Sequence, residues 1–174
     1  MKSMSIRMWV ALAGVVSLAV SSWGEDAAKP SDPAAAQAQT LFKAGTQAAK
    51  AKDWSTTKAK WDEALRLDPK NWEILNHYAW FLVDTVPPEM RDADKALALA
   101  LKASSLTGDK NKDVLDTVAE IWFYKKDFAK AVEYGRKALE PGLQGHTKTE
   151  YFEKQMVRFE KALAESKAAA AVKQ

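Results

Sequence analysis

Between residues 37 and 168, apolar side chains recur at intervals of three and four residues, in short segments separated by turn signals. That period is typical of amphipathic α-helices, and no segment shows the sustained alternation of apolar and polar residues that indicates a β-strand. The pattern predicts seven helices: 37–51, 54–67, 72–85, 93–106, 112–125, 127–140 and 148–168. Because the connections are short, we expect consecutive helices to pack antiparallel in an all-α fold.

Small residues recur at matching places in successive pairs of these helices. Gly45, Ala79 and Ala119 each lie near the middle of the first helix of a pair, and Gly45 and Ala79 are 34 residues apart. The second helices carry two further matching sets: Thr57, Ala96 and Ala131, and then Ala64, Ala103 and Ala138. Small side chains allow two helices to approach closely. The first-to-second helix spacing is 12 residues in the first and third pairs but 17 in the second, so five residues are added to the middle hairpin near 85–88.

This arrangement resembles the tetratricopeptide repeat (TPR) family, whose 34-residue unit is a helical hairpin with small and large residues at fixed positions. The first and third units carry the resemblance. In residues 38–71 the matching residues are Gly45, Trp54, Trp61, Ala64 and Pro69, and in residues 112–140 they are Ala119, Trp122, Phe128, Ala131 and Ala138. The middle unit departs from the family pattern at its insertion and at Ala100. The resemblance implies antiparallel hairpins stacked as a short right-handed superhelix, and it says little about function because the motif residues are packing residues.

The last predicted helix has one apolar stripe. Phe152, Met156, Phe159 and Leu163 lie at spacings of four, three and four residues, with charged residues elsewhere around the helix. A stack of hairpins leaves one apolar side uncovered, so we expect this helix to act as a C-terminal cap. The alternative is that it docks onto a partner.

The ends of the chain have a different composition. Residues 1–24 are typical of a secretory signal peptide, with Lys2 and Arg7 before a 13-residue apolar run from Met8 to Val20. A membrane-spanning helix needs roughly 17 to 25 apolar residues. Export with cleavage, to the periplasm or outside the cell, is therefore expected, with an uncleaved anchor as the alternative. Residues 25–36 are predicted to be a flexible linker, residues 37–168 the helical domain, and residues 169–174 a disordered tail.

Charge and cysteine content exclude several classes of function. The chain has 26 Lys and Arg against 23 Asp and Glu, and removal of residues 1–24 would leave 24 against 23. A nearly neutral chain lacks the basic excess with which proteins bind nucleic acid. There is no cysteine, which excludes disulfides, thiolate metal sites and a cysteine nucleophile.

Catalytic motifs are also missing. The sequence contains no HExxH, GxSxG, GxxxxGK[ST] or GxGxxG pattern. The two histidines, His77 and His146, lie in different segments, and their spacing does not suggest a zinc site. We therefore predict no enzyme activity, no cofactor and no metal, with His77 on a helix surface and His146 in a loop.

A binding groove is what the resemblance to the TPR family implies. In that family the first helix of each pair lines a concave surface that meets ligands. Transferred to this chain, the ligand-facing positions include an aromatic and acidic set: Phe42, Lys50, Glu73, Asn76, Trp80, Asp84, Asp113, Asp116, Glu120, Phe123 and Tyr124. Lys50 alone would not replace the basic clamp that related domains use for a peptide carboxylate, so the expected ligand is basic or apolar. The alternative is that Trp80 and Phe123 are buried between hairpins.

Taken together, these features predict a protein-protein interaction module or adaptor of the bacterial periplasm or cell envelope, which binds a peptide or protein segment. A self-associating structural scaffold is the second hypothesis, and an enzyme is the third. The partner, the pathway and the oligomeric state do not follow from the sequence.

Overall fold

A computed structural model describes residues 32–146 and 149–172. The predicted signal peptide, residues 1–24, and most of the predicted linker lie outside the described residues. The main helices are α1 (Pro33–Lys50), α2 (Trp54–Leu67), α3 (Trp72–Trp80), α4 (Ala93–Leu106), α5 (Lys112–Tyr124), α6 (Phe128–Ala138) and α7 (Thr149–Ala171). A π-helical turn (Phe81–Thr85) continues α3, and a 3-10 turn (Pro88–Met90) follows it. Within the described ranges the fold is all-α, as predicted, with only an isolated bridge between Asn111 and Gln144 and no strand.

Each of the first six helices begins immediately after an aspartate or asparagine. The side chain of that residue accepts a hydrogen bond from a backbone N–H of the first helical turn, as Asp53 does from Thr56 and Asp127 does from Lys130. The other four caps are Asp32, Asn71, Asp92 and Asn111. These side chains satisfy N–H groups that lack an acceptor within the helix, and so they fix the helix starts.

The first and third hairpins close with the same turn. Lys52 and Lys126, in the connections α1–α2 and α5–α6, both have positive φ angles, of 59° and 64°. In each turn the following aspartate donates its backbone N–H to a carbonyl five residues earlier, from Asp53 to Ala48 at 2.9 Å and from Asp127 to Trp122 at 3.0 Å. This left-handed termination is a common way to end a helix and reverse the chain. The two hairpins are thus structural repeats at their turns as well as in their sequences.

Three helix boundaries differ from the sequence-based prediction by three residues or more. Helix α1 begins at Pro33, so residues 33–36 of the predicted linker are helical. Asp32 caps this start, and proline is well tolerated in the first turn. Helix α7 continues to Ala171, into the predicted disordered tail, where four consecutive alanines favour helix. Helix α3 ends as a regular α-helix at Trp80 and its last turn is π-helical.

The helices pack in sequence order. Contacts join α1 to α2, α3 to α4 and α5 to α6 as hairpins, and α2 to α3, α4 to α5 and α6 to α7 between them. All nine small residues at the matching positions are buried: Gly45, Ala79, Ala119, Thr57, Ala96, Ala131, Ala64, Ala103 and Ala138. At Gly45 a Cβ atom would overlap the indole ring of Trp61. The α1–α2 contact therefore needs the absence of a side chain at this position.

The core continues into α7. Around Trp61, Tyr78 and Phe81, the largest cluster of buried residues extends to Ile121 on α5. From the predicted stripe of α7, Phe152, Met156 and Phe159 are buried against α5 and α6, while Leu163 is partly buried beside them. No helix in the described ranges is both long and apolar enough to cross a membrane.

Candidate binding groove

The first helices of the three hairpins line two adjoining cavities. The lysine cavity, of about 480 Å³, lies between α1 and α3 and is lined by Phe42, Thr46, Ala49, Lys50, Trp61, His77, Trp80, Phe81 and Thr85. The aspartate cavity, of about 400 Å³, lies between α3, α5 and the start of α7 and is lined by Asn76, His77, Trp80, Asp113, Asp116, Thr117, His146, Tyr151 and Phe152. His77 and Trp80 line both, so the two cavities adjoin, and we call the pair the binding groove.

Aromatic packing between α1, α2 and α3 forms the lysine cavity. The Phe42 ring lies 5.5 Å from the Trp61 ring and 5.4 Å from the imidazole of His77, measured between centroids. Trp61 Nε1 donates a hydrogen bond to the backbone carbonyl of Phe42 at 3.0 Å, and Gly45 leaves room for the indole. This bond fixes the indole in the cavity wall. Lys50, in the last turn of α1, is the one charged residue of the lining apart from His77, whose charge depends on protonation.

A return of the chain completes the aspartate cavity. The loop after α6 pairs with the start of α5, where Lys112 N–H donates to Gln144 O and Gln144 N–H donates to Lys110 O, both at 2.9 Å. This pairing brings His146 to Asp113: the His146 backbone N–H donates to Asp113 Oδ2 at 3.1 Å, and its Nδ1 lies 2.8 Å from Oδ1. From α7, Tyr151 and Phe152 then add two aromatic walls.

Asp116 is the most unusual group of the groove. It is only 5% exposed, in a stretch of α5 where Leu115, Thr117 and Val118 are also buried. Burial raises the pKa of its carboxyl to about 7, and the nearby charge of Glu120 acts in the same direction, against a hydrogen bond from Tyr151 and the charge of Arg158. No lysine or arginine of the described residues forms an ion pair with Asp116.

Asn76 adds a second unsatisfied group. Its Oδ1 atom is buried and has no hydrogen-bond partner among the described residues. A buried acceptor without a donor is costly, and in native proteins such atoms commonly meet a ligand or water. Asn76 and Asp116 line the same cavity. The aspartate cavity therefore combines apolar aromatic walls with acceptor oxygens that lack a donor or a cation.

Six of the eleven predicted binding residues line the groove: Phe42, Lys50, Asn76, Trp80, Asp113 and Asp116. Trp80 is half-buried and contributes to both cavities, rather than being enclosed between hairpins. The other five, Glu73, Asp84, Glu120, Phe123 and Tyr124, line neither cavity. Glu73 and Asp84 are exposed, and Tyr124, 40% exposed, lies under the guanidinium of Arg91.

Contacts with helix α7 explain why Glu120 and Phe123 line neither cavity. Arg158 of α7 forms an ion pair with Glu120 and lies over the Phe123 ring. The Phe123 ring also packs at 5.4 Å from Phe159. The pKa of Glu120 is raised, mainly by burial, although the bond from Arg158 opposes that shift. Glu120 and Phe123, which the resemblance assigns to a ligand, are therefore in contact with α7 of the chain itself.

The π-helical turn accounts for Asp84. A π turn takes one residue more than an α turn, and here Val86 N–H donates to Phe81 O at 3.2 Å, five residues back. After Trp80, a count of about 3.6 residues per turn therefore no longer predicts which residues face the cavity. Thr85 lines the lysine cavity, whereas Asp84 does not.

His77 and His146 were not predicted to be binding residues. Both are exposed, His77 on helix α3 and His146 in a loop, as their positions in the sequence indicated. His77 could have been found, because it follows Glu73 by four residues and precedes Trp80 by three, on the same helix face. His146 gives no such signal, since its place depends on the pairing of a loop with α5. Although two histidines and two aspartates line one cavity, no group of three or more side chains within the described ranges is arranged to hold a metal ion.

The groove cannot be interpreted through a relative. No protein-family model matches the sequence, and no curated protein is significantly similar to it. The binding groove itself, with its two cavities of different charge, is the observation from which a function can be argued.

Proposed function

We propose that this chain is a non-enzymatic protein-interaction module or adaptor of the bacterial periplasm or cell envelope, which binds a peptide or protein segment in the binding groove. The proposal takes its location from the signal-like residues 1–24. It takes its mode of action from the groove.

The architecture that we propose is a short TPR-like right-handed superhelix with α7 as its cap. Two observations support it. The nine small residues of the repeat are all buried where helices meet, and the first and third hairpins close with the same turn, at Lys52 and Lys126. In such a stack the first helices line one concave surface.

One observation carries the binding proposal: α1, α3, α5 and the start of α7 all contribute side chains to adjoining cavities joined by Trp80. An apolar concave surface with a few convergent polar groups is typical of a ligand site. The groove extends across three hairpins, which suits an extended segment better than a compact small molecule.

Site-specific photo-crosslinking in the intact cell envelope tests this proposal. A photoreactive amino acid at Thr85, which is exposed and lines the lysine cavity, should give a crosslinked partner protein. The matched control is Thr40, which is exposed on α1 and outside both cavities. Equal yields at both positions, or none at Thr85, would count against the groove, and adducts between two copies of the chain would favour a self-associating scaffold.

Trp80→Ala tests the centre of the groove. Truncation of a central aromatic anchor typically costs about 2 kcal/mol of binding, or roughly a 30-fold loss of affinity. Trp72→Ala is the matched control, because Trp72 lies on the same helix, is 39% exposed and lines neither cavity. Affinity for the crosslinked partner should fall only in Trp80→Ala, with helicity by circular dichroism unchanged in both.

A further inference from the structure

The aspartate cavity has the properties of a receptor for a positive charge. Its carboxylates, Asp113 and Asp116, face a space whose apolar walls are the rings of Trp80, Tyr151 and Phe152. No lysine or arginine belongs to this lining. Aromatic faces and carboxylates together attract ammonium and guanidinium groups, through the ring quadrupole and through direct charge pairing.

The second observation is that Asp116 has no counter-ion of its own. Arg158, whose charge acts on Asp116, is already paired with Glu120. Asp113 is held by His146 and by the backbone of the same loop. Asp116 is therefore a carboxyl that is 5% exposed, lines a cavity of about 400 Å³ and lacks a cation within the described residues. Buried charges in proteins are normally paired.

We propose that the aspartate cavity binds the cationic side chain of a lysine or arginine from the partner segment, with Asp116 as its counter-ion. Asn76 Oδ1, which is buried without a donor, accepts one of the N–H groups of that side chain. Trp80 and Tyr151 enclose its aliphatic part. This inference rests on the proposed function, since it identifies the residue that the partner inserts into one of the two cavities.

The surrounding groups set the pH dependence of this binding. Asp113 and Glu120 on α5 add negative charge around Asp116, and Arg158 on α7 reduces it. His77 on α3 and His146 in the loop border the cavity and repel a cation when they are protonated. The Tyr151 hydroxyl on α7 lowers the pKa of Asp116, and the pKa of Tyr151 itself is raised by burial. Affinity for a cationic side chain should therefore rise with pH and level off once Asp116 is ionised.

Binding should also release a proton. Near pH 7 Asp116 is about half protonated, and a bound cation would shift it to the ionised form. The displaced proton enters the buffer, so the calorimetric enthalpy of binding should depend on the ionisation enthalpy of that buffer. A merely structural role for Asp116 would give no such dependence.

The experiment is a calorimetric titration of the full chain with capped peptides that differ at one residue: lysine, arginine, norleucine or N-acetyl-lysine. The lysine or arginine peptide should bind at least about tenfold more tightly than the two neutral peptides. In Asp116→Asn this preference should disappear, together with the proton release. The control is Asp94→Asn, which changes an exposed side chain outside both cavities. In this variant the preference for the lysine and arginine peptides should persist.

The outcomes separate this inference from the proposed function. Equal binding of the norleucine and lysine peptides would overturn the inference and still support a peptide-binding groove. Preference retained in Asp116→Asn would overturn the role of Asp116. If no peptide binds and Thr85 gives no crosslink, the proposed function fails as well. Should Asp116→Asn not fold, the comparison of lysine with N-acetyl-lysine on the unaltered chain still decides the inference.

Discussion

The lysine cavity lies between two consecutive hairpins, whereas the aspartate cavity is completed by segments outside the repeats. The lysine cavity takes its walls from α1, α2, α3 and the π-helical turn that continues α3. The second takes His146 from a loop and Tyr151 and Phe152 from α7. Their charges also differ, since Lys50 lines one and two aspartates line the other.

This difference indicates how the binding groove could recognise direction. A segment that crosses both cavities meets a cation at one end and carboxylates at the other, with Trp80 between them. Complementary charges fix the register and orientation of a ligand more than they raise its affinity. The repeat helices supply both charges, Lys50 from α1 and Asp113 and Asp116 from α5, while the added segments close the aspartate cavity.

Gly45 and Gly135 test two close contacts between helices, one behind the lysine cavity and one between α6 and α7. Gly45→Ala should destabilise the protein by about 2 kcal/mol, because the added methyl group overlaps Trp61, whose indole is fixed by its bond to Phe42. Gly135→Ala, on α6 below α7, brings the methyl group to 3.1 Å from Met156 Sδ, a flexible thioether, and to 3.1 Å from the Phe159 ring. Its cost should be less than about 1 kcal/mol.

Urea denaturation of both variants measures this contrast. Glycine-to-alanine changes inside helices otherwise stabilise by about 1 kcal/mol. If Gly45→Ala is neutral or stabilising, then the indole of Trp61 does not pack against Gly45 of α1 and does not form that wall of the lysine cavity.

Asp116 provides the next test, through the pH dependence of stability. Its pKa is about 7 in the folded protein against an ordinary value of 3.8. Between these values the folded state holds a proton that the unfolded state has lost, so this group's contribution to stability falls as pH rises from about 4 to about 7 and is constant above that. Asp116→Asn removes that loss, so its stability relative to the unaltered chain should rise by up to about 4 kcal/mol between pH 4 and pH 8.

Unfolding free energies at pH 4, 6, 7 and 8 measure the difference between the two proteins. Contributions from the other titratable groups are common to both proteins and cancel to a first approximation. Asp94→Asn, whose side chain is 89% exposed, should run parallel to the unaltered chain. A parallel curve for Asp116→Asn would mean that Asp116 is solvated rather than buried.

Much of the fold follows from local pattern, because apolar period, caps and small residues are properties of short segments. The all-α fold was predicted in this way, and so were seven helices close to their observed bounds. Phe42, Trp80 and Asp116 could be assigned to a groove because they lie on first helices at regular spacing. What failed depended on non-local packing or on irregular backbone. Arg158 of α7 covers Glu120, the π turn displaces Asp84, and a loop brings His146 to Asp113.

Arg158 and Arg136 give the smallest test, of the segment that completes the aspartate cavity. Each forms an ion pair that holds α7 to a neighbouring helix. Arg158 of α7 pairs with Glu120 of α5, and Arg136 of α6 pairs with Glu160 of α7. The Glu120 side chain is 12% exposed, whereas the Arg136–Glu160 pair is 68% and 50% exposed. Arg158→Ala leaves a largely buried carboxylate without a partner and should cost about 1 to 2 kcal/mol; Arg136→Ala should cost less than about 0.5 kcal/mol.

The double variant Arg158→Ala with Glu120→Gln distinguishes a lost attraction from an unpaired charge. If the cost of Arg158→Ala comes mainly from the stranded carboxylate, neutralising Glu120 should restore most of the stability, because a neutral amide is less costly to bury. Thermal unfolding of the two single variants and the double variant measures the coupling. Since the charge of Glu120 raises the pKa of Asp116 more than the charge of Arg158 lowers it, the double variant should in addition lower that pKa. An unchanged Asp116 titration together with full recovery of stability would show that Arg158 anchors α7 without tuning the aspartate cavity.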